Sequence, residues 1–169
     1  MELADRTGQT EKVAERRINT VRMSKTITLV HVVFCTRKRL ATINPDASVN
    51  LYRIIHELLN ESDCYLYRIN AMPNHVHLLF NLSPRVALAD MVKNLKSKSS
   101  QWMSKSGLHP IFKGWGKGYF SASVSPQNRI NVINYIKNQQ EHHKDKPFDS
   151  EIMWLYKQAG LQWHDDDMT

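Results

Sequence analysis

Four residues have the types and spacing for metal-assisted phosphoryl chemistry. His75 and His77 are separated by one residue in an apolar run, and Tyr135 and Gln139 lie four apart in a later segment. Side chains alternate between faces along a strand, so the two histidines point one way and Val76 the other. On a helix, positions i and i+4 are neighbours, so Tyr135 and Gln139 share a face. If strand and helix meet, two imidazoles, a carboxamide and a phenol converge on a metal site with a nucleophile beside it. A cation held by neutral ligands keeps its full charge for a phosphodiester oxygen and for the charge building at phosphorus. Tyrosine, with an ordinary pKa of about 10, is a weak nucleophile at neutral pH. A hydroxyl held in line with the phosphorus nonetheless needs no strong base. The resulting phosphotyrosine bond would keep the ester energy, so that a strand could be broken and rejoined without ATP.

Two histidines alone do not fix a metal, and a pair satisfied at a sheet surface is the ordinary reading of His-x-His in a strand. The Tyr135 segment adds the discrimination. At about 100° per residue, Ile130, Ile133 and Ile136 form one face, while Asn128, Asn131, Tyr135, Asn138, Gln139 and His142 fall on another. A tyrosine kept for packing belongs with the isoleucines, and this one sits with the amides. His31, His56 and His109 read as structural, and His142 as an exposed histidine near a helix C-terminus.

The elements that must position these residues follow from periodicity. Apolar residues on both faces from Thr26 onward predict a central strand. Ala47 to Asn60, with Val49, Ile54, Leu58 and Leu59, predicts a helix. Cys64 to Ala71 is a second strand, ended by Met72-Pro73-Asn74, and His75 to Leu82 a third. A helix over Val86 to Ser104 buries Leu88, Val92, Leu95 and Trp102; residues 107–118 are a glycine-rich loop, and Tyr119 to Ser125 a fourth strand. Pro126 opens a long helix to about Lys144, and a short one runs from Asp149 to Gln158. The order β-α-β-β-α-β predicts an α+β fold: a ferredoxin-like split βαβ domain with an antiparallel sheet, plus a C-terminal helix carrying the tyrosine.

The 169 residues suit one domain. The expected organisation is a flexible extension over 1–22, a domain over 23–158 and an acidic tail over 159–169, with Met23 a competing start of the functional chain. Cys35 and Cys64 have no CxxC spacing and read as reduced core residues. No apolar run reaches the length of a membrane span and the N-terminus lacks a signal-peptide core, so the expectation is a soluble, intracellular protein.

Lys+Arg 23 against Asp+Glu 16 gives a net charge of +7, which suits a polyanionic partner. Lys93, Lys96, Lys98 and Lys105, with Ser97, Ser99 and Ser100, run along the second helix as candidate phosphate contacts. The loop from Phe112 to Phe120 interleaves Lys113 and Lys117 with Trp115, Tyr119 and Phe120. Unpaired bases stack on such rings while lysines follow the backbone. The alternatives are a merely solvated lysine face and rings that cap the core.

Met72-Pro73-Asn74-His75-Val76-His77-Leu78-Leu79, then Trp115 to Ser125, then Tyr135-Ile136-Lys137-Asn138-Gln139 with Glu141-His142-His143, resemble the single-tyrosine HUH transposases. These are the insertion-sequence-200-like enzymes and their relatives associated with repeated extragenic palindromes. The resemblance spans about residues 24–150. It implies His75, His77 and Gln139 as metal ligands, Tyr135 as nucleophile, and magnesium or manganese as the ion. It further implies a single-stranded DNA hairpin as substrate and a 5′-phosphotyrosine link with a free 3′-hydroxyl. A homodimer in which one subunit's tyrosine helix serves the other's histidines is typical of the insertion-sequence branch, while domesticated relatives can be monomeric. The expected location is the bacterial cytoplasm, on the nucleoid when bound to DNA. The extension and the acidic tail lie outside the usual domain. Two rivals stay open: a replication-initiator-like HUH nuclease, although those usually belong to longer chains, and a catalytically silent hairpin-binding module on the same fold.

Overall fold

A computed structural model describes residues 25–141 and 147–168 of the chain. The expected extension over 1–22 and His142 lie outside the described residues.

The elements run β1 (Leu29–Cys35), α1 (Ser48–Glu61), β2 (Tyr65–Met72), β3 (His75–Asn81), α2 (Leu88–Ser106), β4 (Phe120–Val124), α3 (Arg129–Lys137) and α4 (Phe148–Gln158). The sheet order is β2-β3-β1-β4, and every pairing is antiparallel. This is the expected split βαβ arrangement with its two later strands at the sheet's centre and edge. β1 and β3 are buried throughout, as central strands covered on both faces should be.

One face packs Val30, Val32, Phe34, Val76, Leu78 and Phe80 against α1 and α2, through Leu51, Ile55, Met91 and Leu95 among others. The other face carries two smaller clusters. In one, Val33, Cys35 and Phe120 meet Phe148, Ile152, Leu155 and Tyr156 of α4. In the other, Leu29 and Leu79 meet Ile136 of α3. The sheet is therefore sandwiched, and the second layer is the one that reaches the histidines.

Three details depart from the sequence reading. Val49 is exposed, because α1 begins at Ser48 and turns Leu51, Ile55, Leu58 and Leu59 inward instead. Ile130 is likewise exposed, and of the expected isoleucine stripe only Ile136 is fully buried. The tyrosine helix does not run unbroken to Lys144: α3 ends at Lys137, Asn138 leaves helical geometry at φ −93°, ψ 17°, and helical backbone resumes over 139–141. Side-chain competition explains the break, since the Asn70 amide donates to the Ile136 carbonyl at 2.8 Å and holds the end of α3 to β2. The tail beyond α4 folds back, with Trp163 edge-on to Tyr156 and Met168 buried beside Cys35. Both cysteines are free and buried, and among the described residues no helix is long and apolar enough to cross a membrane.

Candidate metal and nucleophile site

The antiparallel register decides what surrounds the histidines. His75 lies opposite Cys35 and His77 opposite Val33, so these four share one face, and Asn70 of β2 lies opposite His77 on its other side. His31, two residues before Val33 on β1, points to that same face. His75 and His77 are fully buried there. Phe148 of α4 stacks on the His75 ring at 4.1 Å between centroids.

α3 supplies the remaining groups. With Ile136 seated on Leu29 and Leu79, Tyr135 falls beside the sheet, its ring 5.9 Å from that of His77. Gln139, on the turn after the Asn138 break, is fully buried. The structure thus gathers His75, His77, Tyr135 and Gln139 within one chain. It adds a residue that sequence reasoning missed, Glu151 of α4, which is 7% exposed and surrounded by all four. Tyr135 donates its hydroxyl proton to Glu151 Oε1, and Gln139 Nε2 donates to the same oxygen at 2.8 Å. His77 Nε2 stands 3.5 Å from Oε1, and His75 Nε2 stands 3.7 Å from Oε2.

Electrostatics follow from burial. Desolvation, reinforced by the Glu151 charge and by the hydrogen bond to it, pushes the Tyr135 phenol well above its ordinary range. Desolvation, with His77 alongside, lowers the His31 pKa to about 3, so His31 is a neutral imidazole.

These groups fit a divalent cation. The ligand atoms of His75, His77 and Glu151 all lie within 4.8 Å of one another. His77 Nε2 and Gln139 Oε1 are buried and make no hydrogen bond among the described residues. Buried acceptors left unmatched are costly, and a shared cation matches them at once.

The lysines expected to contact DNA separate into different roles. A cleft of about 670 Å³ is lined by Arg37, Lys38, Lys96, Lys113, Trp115 and Lys117, among others. Lys113 and Lys117 are exposed at its rim. Lys96 instead donates to the carbonyls of Gly116 and Gly118 at 2.7 and 2.8 Å, tying the glycine loop to α2. Trp115 packs edge-on to Phe34 at 4.7 Å and donates from Nε1 to Ser99 Oγ at 2.9 Å, which makes it a half-buried brace for that loop. Lys98 lies 3.4 Å from Glu61, and Lys93 is exposed without lining the cleft. Arg37 and Lys38 were missed; they come from a tight turn after β1 in which Lys38 and Arg39 take φ of 55° and 56°.

An antiparallel split βαβ sheet with paired histidines on a central strand, answered by a tyrosine helix, defines a class that comparison with known proteins identifies. The IS200-like transposase family model matches residues 24–139, and the chain belongs to that family. The matched segment ends on Gln139, so α4 and Glu151 lie beyond it. The ISDra2 transposase TnpA of Deinococcus radiodurans is 26% identical over 118 residues, covering 66% of this chain and 83% of that protein. The transposase for insertion sequence element IS200 of Salmonella typhimurium is 24% identical over 119 residues, 68% of this chain and 78% of that protein. Among solved structures, a candidate transposase from D. radiodurans R1 superposes with a TM-score of 0.57 at 26% identity, covering 72% of this chain and 97% of that one. A REP-associated tyrosine transposase bound to a REP hairpin shares the fold, with a TM-score of 0.52 at 14% identity over 85% of this chain and 87% of that one.

Proposed function

We propose that this transposase cleaves and rejoins single-stranded DNA at hairpin-bearing ends, with Tyr135 as nucleophile and His75, His77 and Gln139 as ligands of magnesium or manganese. The observation that carries the reading is the convergence of Tyr135 and Gln139 on the two histidines, with Glu151 accepting the tyrosine's hydrogen bond. When bound, a divalent cation supplies positive charge against a phosphodiester oxygen. Tyr135 Oη bonds to phosphorus while its proton passes to the Glu151 carboxylate. The P–O3′ bond breaks, and the departing oxygen takes a proton from water to become a 3′-hydroxyl, while Glu151 returns its proton to solvent. A 5′-phosphotyrosine remains, and a 3′-hydroxyl from another end reverses the step. Glu151 is a further oxygen donor for the cation. Lys113, Lys117, Arg37 and Lys38 fit the role of phosphate contacts for the DNA. The shared fold of the hairpin-bound REP-associated transposase supports the choice of a hairpin.

A catalytically silent hairpin-binding module is favoured by one observation: the Tyr135 hydroxyl is engaged and its pKa is raised. Labelled hairpins taken from the DNA flanking the gene, incubated with protein and manganese or magnesium, decide between the two. The enzyme reading predicts a metal-dependent protein–DNA adduct on a denaturing gel that Tyr135→Phe abolishes, with hairpin affinity kept within a few fold. Tight hairpin binding with no adduct under any metal would leave the silent module standing.

A further inference from the structure

The two site histidines are held from behind as well as faced from the front. His75 Nδ1 lies 2.7 Å from Asn74 Oδ1, and His77 Nδ1 lies 3.1 Å from His31 Nε2. A carboxamide oxygen only accepts, so the proton shared with Asn74 sits on His75 Nδ1. For His77, a proton on Nδ1 pairs with His31. A proton on Nε2 would face Glu151 Oε1 at 3.5 Å and would block ligation, so the metal-dependent reading requires the proton on Nδ1. On that reading both rings carry Nδ1–H, and each Nε2, 3.5–3.7 Å from the Glu151 carboxylate, is the nitrogen left to ligate.

His31 has little freedom to do otherwise. It is 5% exposed, stacks on His77 at 5.3 Å and 22°, and meets Phe120 and Tyr135 edge-on at 6.1 Å each. The β1–β3 register puts it diagonally across from His77, where a ring-to-ring hydrogen bond is within reach. Asn74 is fixed by its backbone, whose carbonyl accepts from Thr36 N at 2.9 Å.

We propose that His31 and Asn74 are positioning residues that select the Nδ1–H tautomers of His77 and His75 and so aim both Nε2 atoms at one cation. The proposal rests on the metal-dependent reading above. Second partners of this kind orient ligating imidazoles, and losing one typically weakens metal affinity about 10–100-fold.

The test pairs manganese titration of the full chain, read by electron paramagnetic resonance, with ring-nitrogen NMR of the metal-free protein. Expected are an Nδ1–H signature for His77 and His75 in the unmodified protein, and manganese affinity weakened about 10–100-fold in His31→Phe and in Asn74→Ala. His31→Gln, whose amide oxygen can still accept, should stay within a few fold. A purely structural role for His31 would instead give equal losses in the Phe and Gln variants. Manganese affinity unchanged in folded His31→Phe and Asn74→Ala overturns the proposal. So does an Nε2–H signature for His77 in the unmodified protein, a measurement that needs no variant to fold. Failure of the unmodified protein to bind manganese would refute the metal reading instead, and the ring-nitrogen spectrum then decides the pairing alone: Nδ1–H upholds it, Nε2–H sinks it.

Discussion

Replacing Lys96 with methionine separates a structural strut from a DNA contact. The Lys96 ammonium makes hydrogen bonds of 2.7 and 2.8 Å to the carbonyls of Gly116 and Gly118. Hydrogen bonds to a charged group contribute about 1.5–3 kcal/mol each. Burial lowers the Lys96 pKa, so desolvation offsets part of that gain, and the freed carbonyls can turn to water. A net loss of about 2 kcal/mol follows, or a fall in Tm of about 4–8 °C for a chain this size. Four other cations line the cleft: Arg37, Lys38, Lys113 and Lys117. If each meets a phosphate, log K against log salt has a slope of about −3, since each contact contributes about 0.7–0.9. Removing Lys113 or Lys117 should flatten that slope by just under about one. Lys96→Met should leave it unchanged and lower affinity only through the loosened loop. Fluorescence anisotropy of a labelled hairpin from about 50 to 200 mM salt reads the slope, and thermal melts read the strut. An unaltered Tm, combined with a slope flattened as much as in Lys113→Ala, would refute the reasoning.

Ile136→Ala should cost about 2–5 kcal/mol in urea denaturation, because a fully buried side chain leaves a cavity under α3. Cleavage should fall further than hairpin affinity, since Tyr135 and Gln139 are carried by that seat; equal losses would detach the helix from the chemistry. Burial raises the Cys35 pKa from 9.0 to about 11. The folded state therefore keeps a proton that the unfolded chain releases, so stability is intact below pH 9 and declines by up to about 3 kcal/mol as pH rises toward 11. Cys35→Ala should show a shallower decline in urea midpoints across that range, and an identical profile would clear Cys35 of the effect. Deleting residues 1–22, which precede the matched segment, should leave folding and cleavage intact; loss of either by circular dichroism or the adduct gel would place a functional element there.

How much of this was legible depended on whether the signal was local. The parity of His75 and His77 needs only the strand period, and β3 forms where that period places it. The four-residue step from Tyr135 to Gln139 needs only the helix period, although α3 ends at Lys137, two residues short of Gln139. His31 carried a usable signal too. Two residues before Val33, it belongs to the face that antiparallel pairing lays against β3, and following that parity across the pairing would have found it. Glu151 had none. A lone glutamate in a helix's first turn reads as an ordinary partner of the helix dipole, and only tertiary packing brings it between the histidines and the tyrosine. The Asn138 break was equally silent, because no glycine or proline marks it and its cause is Asn70 of an edge strand. Lys96 could not be told from its exposed neighbours, since its acceptors lie 20 and 22 residues away.

The seating of α3 on its own sheet carries a kinetic consequence. Ile136 packs on Leu29 and Leu79, and Asn70 grips the last carbonyls of the same helix, which holds Tyr135 beside the histidines of its own chain. A site built in this way within one chain would assemble unimolecularly. Specific activity should hold on dilution, and a mixture of Tyr135→Phe and His75→Ala chains should stay dead, because neither can lend its intact half to the other. Cleavage restored on mixing would mean that α3 leaves its sheet and crosses between chains. That exchange would have to break both the isoleucine seat and the asparagine grip, giving cleavage an order in protein concentration and a slow onset set by release of the helix.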